Sequence, residues 1–179
     1  KQEIQAIINE PDFYFQKGAD VLKNWMQLTV PDALKNDLLS LSEDYRKLKA
    51  EAVSRQDINS VLQLLYEVIS YCDTNAKEKH NYNKYKDTRT LAMANVRMGH
   101  WVRKLLFFKF SPDKLEKGSP RNAFEYLLDP SNNTTILSEN HRKLISENLL
   151  NKDYSPESFV KDLKDHFANQ NLNTSNPAN

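Results

Sequence analysis

A three-four rhythm of apolar residues inside a basic stretch limits the folds open to this chain more than any other feature. Between Asn81 and Phe110, Leu91, Ala94, Met98, Trp101, Leu105 and Phe108 recur at steps of three and four. Such steps mark one side of a helix. At about 100° per residue, Arg89, Arg97, His100, Arg103 and Lys104 collect on the other side. No Asp or Glu stands between Thr88 and Phe110 to neutralise them. Lys84 and Lys86 lead into this helix, with Tyr82 and Tyr85 interleaved. Phe107 falls on the polar side with Val96, so either a second layer covers it or it belongs to an interface.

Two further stripes share the period. Leu34, Leu38, Leu41, Tyr45, Leu48 and Ala52 keep a heptad step, which predicts one helix packed at a shallow angle in an antiparallel hairpin. Ile58, Val61, Leu62, Leu65, Val68, Ile69 and Cys72 form a broader stripe, so their helix should be the most buried of the set. The chain has three Gly and seven Pro, and most Pro sit where helices would begin. The expectation is an all-α fold. It would be a single helical-bundle domain of about seven or eight helices over 1–168, with a flexible Asn-rich tail or linker over 169–179.

In chain order, a short helix over 2–9 stops before Pro11. The next carries Phe15, Ala19, Leu22, Trp25 and Met26 and ends near Leu28. Past Ser111-Pro112, a short helix opens at Ser119-Pro120 and buries Phe124 with Leu127 or Leu128. Another turns His141, Leu144, Ile145 and Leu149 inward. A last one opens at Ser155-Pro156 with Phe159, Val160, Leu163 and Phe167 inside.

The residues argue against catalysis resident in this chain. Four scattered His and one Cys give no metal-ligand spacing, and no cofactor is expected. Gly18, Gly99 and Gly118 are isolated, whereas phosphate-cradling loops need closely spaced Gly. Cys72 reads as a small buried hydrophobe. Asp162 and His166 stand four apart, as an ordinary helical pair does. Glu157 with Asp162-Leu163-Lys164 echoes the acids of restriction-type nucleases, but here they fall on one amphipathic helix rather than on adjoining strands. No apolar run is long enough to span a membrane and no signal peptide opens the chain, so the reading is cytoplasmic. Lys1 in place of Met reads as a fragment or a processed product.

Charge supplies the functional expectation. From Lys77 to Lys109 nine Lys/Arg meet only Glu78 and Asp87, a balance of +7 within a chain of net charge +1. A non-catalytic nucleic-acid binding module, for DNA above all, follows from that stripe. Its contacts would be Tyr82, Lys84, Tyr85, Lys86, Arg89, Arg97, His100, Arg103 and Lys104. In the competing account the cations pair with acids on the Asp32–Glu51 or Glu139–Asp165 helices. The alternative function is a protein-interaction or oligomerisation module without nucleic-acid binding.

The stretches SLSEDYRKLKAEA (40–52), TRTLAMANVRMGHWV (88–102) and FEYLLDPSNNTTILSENHRKLISENLL (124–150) together resemble the helical N-terminal regions of bacterial McrB-type restriction ATPases. That resemblance implies a module of a larger defence or restriction protein. It would bind DNA or a partner and be joined by the Asn-rich tail to a motor or nuclease subunit or domain. The motor's nucleotide-binding residues are absent from this chain.

Overall fold

The structure is a computed structural model that describes residues 14–73 and 88–170, with side chains from Lys17 onward. The expected helix over 2–9, and the tail beyond Gln170, lie outside these residues. The fold is all-α: among the described residues there are eight α-helices and no strand. They are α1 (Tyr14–Gln27), α2 (Asp32–Leu41), α3 (Tyr45–Ser54), α4 (Gln56–Cys72), α5 (Thr88–Phe110), α6 (Ser119–Leu128), α7 (Glu139–Asn148) and α8 (Phe159–Ala168). A 3-10 turn at Pro112–Lys114 follows α5. The chain divides into two compact units, Lys1–Leu115 and Glu116–Asn179, each described by itself.

The first unit is built around α4, which packs on α1, α2, α3 and α5. Ile58, Val61, Leu62, Leu65, Tyr66, Val68 and Ile69 are all buried, a stripe wide enough to meet helices on more than one side. Each such side chain gives about 1.5–3 kcal/mol on burial. From α1, Leu22 and Trp25 are fully enclosed. The Trp25 indole donates to the Leu105 carbonyl at 3.3 Å, tying α1 to α5. Lys109 completes the tie. Its ammonium lies 4.6 Å over the Trp25 ring and donates to the carbonyls of Trp25, Met26 and Leu28. A helix end leaves its last carbonyls without partners, and one ammonium has three N–H to give them.

The single helix expected over Leu34–Ala52 is two helices. Ser42 turns its hydroxyl back to the Leu39 carbonyl at 2.7 Å, and Asp44, in extended backbone, accepts the Arg46 N–H at 3.0 Å as the cap of α3. Ser and Asp compete with the helical ladder in this way and favour caps over helix interiors. The heptad step survives the break because Leu38, Tyr45 and Leu48 still point inward.

In the second unit Phe124 and Phe159 are the large enclosed side chains. Here α7 departs from its expected face. Leu144 is 55% exposed, and His141 and Leu149 are also exposed, while Arg142 and Ser146 are buried. Arg142 donates from Nε to the Ile136 carbonyl at 2.7 Å and lies 5.2 Å over the Phe159 ring. Its stem and flat head fill an apolar place while its N–H groups stay bonded. Buried Asn122 donates to the Leu137 carbonyl at 2.8 Å and to Glu139 at 2.6 Å, and Glu139 also accepts the Tyr154 hydroxyl. The last helix starts at Phe159; Ser155-Pro156 belongs to the turn before it.

Candidate binding face on the long helix of the first unit

α5 packs its apolar side on α2, α3 and α4, burying Ala94, Met98, Trp101, Val102, Leu105 and Leu106. Two contacts fix its rotation. One is Gly99 against α3: a Cβ placed on Gly99 would stand 2.8 Å from the Tyr45 Cβ, well inside normal contact. Gly99 is therefore a point of close helix approach. The Tyr45 and Tyr66 hydroxyls meet beneath it at 2.7 Å, and burial pushes both phenols above their usual range.

The other contact is Asp73, the residue that ends α4. Its carboxylate is buried and accepts the Arg97 Nε–H at 2.6 Å and the Trp101 indole N–H at 2.8 Å. The Arg97 side chain remains 44% exposed above this bond. Arg103 stands 3.8 Å from Glu43 on the α2–α3 turn and lies 5.1 Å over the Phe107 ring. So among the described residues the pairing of the basic stripe with acids includes Arg103 with Glu43, inside the expected helix, and Arg97 with Asp73, which neither account used.

Arg89 and His100 are exposed and Lys104 is half-buried. Tyr82, Lys84, Tyr85 and Lys86 lie outside the described residues. Along the outer side of α5, Met93 and Val96 are 65% and 68% exposed. Beside them runs a groove of about 860 Å³ between α5 and the α2–α3 turn, floored by Leu91, Asn95 and Gly99 and rimmed by Glu43, Arg46 and Arg103. The rim carries both signs of charge. Sequence reasoning missed Met93 as an outward residue, although it stands at the same steps as Val96 and Phe107.

The residues weighed for catalysis are each engaged with other partners. Asp162 pairs with Lys152 and accepts the Ser158 hydroxyl at 2.7 Å, which hold its carboxyl below the usual range. Glu157 pairs with Lys117, and Lys164 donates to the Ser131 carbonyl. His166 bonds Gln170 at 3.0 Å. The Cys72 thiol is pushed up to about 12 by burial and then by the charge of Asp73, so it stays protonated at neutral pH. Among the described residues no group of three His, Cys, Asp or Glu is placed to hold a metal, and no helix is long and apolar enough to cross a membrane.

Comparison with protein-family models, with curated proteins and with solved structures finds no match.

Proposed function

We propose that this chain is a non-catalytic interaction module that holds a partner protein along the outer side of α5. The observation that carries the reading is the pair Met93 and Val96, both well exposed and one turn apart on a helix whose other side is buried through Ala94, Met98, Trp101 and Leu105. Covering two such side chains gives a partner about 1.5–3 kcal/mol each. A phosphate backbone would gain little from them. Two cations expected to contact phosphate also have local work, Arg97 at Asp73 and Arg103 at Glu43. On the resemblance to McrB-type proteins, the partner would be a motor or nuclease subunit.

The test is a photo-crosslinking residue, benzoylphenylalanine, at Val96 of the full chain in its own cells. Protein adducts that vanish when Met93→Glu is added support the reading. Nucleic-acid adducts alone, or protein adducts indifferent to Met93→Glu, overturn it.

A second reading keeps nucleic acid, and DNA in particular, as the partner. It is favoured by an α5 without a single carboxylate, in a unit with eighteen Lys/Arg against fifteen Asp/Glu. The unit over 116–179 carries seven against nine. DNA would then follow Arg89, His100 and Lys104, and its affinity would fall steeply with salt. Titration of short duplexes at two salt concentrations decides it: no binding at low salt removes this reading.

A further inference from the structure

The outer seam of α5 is complementary to its own reverse. Arg89, Met93, Val96, His100, Arg103 and Phe107 follow one another at alternating steps of four and three, the spacing at which one helix packs along another. Against a second copy running the opposite way, with a two-fold axis at the level of Met98, Met93 meets Arg103 and Val96 meets His100. Phe107 meets Arg89. Each layer then sets an apolar side chain against one with a polar or cationic head, and no layer sets two arginines together. A parallel copy in register would stack Arg89 on Arg89 and Arg103 on Arg103, which is unfavourable. The order of residues selects the antiparallel arrangement.

The side chains suit such layers. Met93 and Val96 are 65% and 68% exposed. An arginine can lay its aliphatic stem over an apolar neighbour and keep its head in water. Within one chain the Arg103 guanidinium already lies 5.1 Å over the Phe107 ring, so the seam accepts a cation on an apolar face. Repulsion between two basic helices is moderated at the same time. Arg97 arrives bonded to buried Asp73 at 2.6 Å, and Arg103 arrives 3.8 Å from Glu43.

Resting on the protein-docking reading above, we infer that the partner is a second copy of this chain, standing where the resemblance puts a motor or nuclease subunit. The two α5 helices pack antiparallel, Met93 of each copy on Arg103 of the other and Val96 on His100. The interface is isologous, one patch used twice, as in closed two-fold dimers.

Sedimentation velocity of the full chain from about 1 µM to about 1 mM, the range of weak association, gives the first readout. The chain should pass from monomer to dimer. Met93→Lys and Val96→Lys should each weaken the dimer at least about tenfold while the thermal melt stays in place. The second readout is position. Met93→Cys chains mixed with Arg103→Cys chains are oxidised with copper phenanthroline, and linked peptides are mapped by mass spectrometry. A disulfide between positions 93 and 103 of different copies is expected. Met93→Cys chains alone should not link 93 to 93, since these positions stand about 15 Å apart along the axis, beyond a disulfide's reach. A dimer without the 93–103 link, one that links 93 to 93, or one indifferent to Val96→Lys overturns the antiparallel copy. A chain monomeric to about 1 mM that still gives Val96 photo-adducts with other proteins also overturns it, and leaves the docking reading standing. With neither dimer nor protein adducts, both fall.

Discussion

Arg97 donates from Nε to Asp73 across 2.6 Å, joining the middle of α5 to the end of α4. The bond is unequal, since the carboxylate is buried and the guanidinium is 44% exposed. Removing either partner therefore costs different amounts. Arg97→Ala takes the guanidinium from a buried carboxylate that still accepts the Trp101 indole N–H, and is expected to cost about 2–4 kcal/mol. Asp73→Ala leaves an arginine that can turn to water and an indole N–H without its acceptor, about 1–3 kcal/mol. Urea unfolding of both singles and the double should give a coupling of at least about 0.5 kcal/mol. Strict additivity would show the contact to be idle.

Gly99→Ala should destabilise the protein against the usual trend. An exposed helical Gly→Ala change gains about 1 kcal/mol from helix propensity. Here the new Cβ meets the Tyr45 Cβ at 2.8 Å, and overpacking of that kind costs about 1–3 kcal/mol. A net loss in the denaturation midpoint is expected. A rise would mean that α3 and α5 part without cost.

Lys109 gives a third outcome. Lys109→Met keeps much of the stem on Trp25 but takes the ammonium from the carbonyls of Met26 and Leu28 and from that of Trp25, which keeps the Leu28 N–H at 3.3 Å. The expected cost is about 1–3 kcal/mol, with faster amide exchange at the end of α1. Unchanged exchange there would remove Lys109 as the cap.

The Cys72 thiol makes a prediction in pH. Its folded value is raised from 9.0 to about 12, so the unfolded chain releases its proton first. Its contribution is fully present below pH 9 and is lost as pH rises towards 12, because above 9 the folded state binds more protons. Alkylation by iodoacetamide at pH 8 should be slow in the native protein and fast in urea. Equal rates in the two states would contradict shielding of this half-buried thiol by the fold.

The apolar stripes were legible because helical burial repeats in sequence, and α4 lies where Ile58–Cys72 put it. The break at Ser42–Asp44 was less so. A seven-residue rhythm runs straight across it, and only the run Ser42-Glu43-Asp44 hints that side chains there outbid the backbone ladder. On α7 hydrophobicity pointed the wrong way. Leu144 faces out and Arg142 faces in, because a guanidinium that finds the Ile136 carbonyl and the Phe159 ring can be buried at low cost. The candidate face was half legible. Charge singled out α5, but Asp73's claim on Arg97 joins residues far apart in the chain, and spacing carries no sign of it.

The anchoring of α5 at Gly99 and Lys109 separates two tasks along a single helix. Core and anchors set its rotation, so Met93 and Val96 add little to folding and can vary without disturbing it. Such a chain can change partners by drift along one exposed line while its interior stands still. Related chains that diverge at 93 and 96 but keep a glycine opposite a tyrosine would be the record of that freedom.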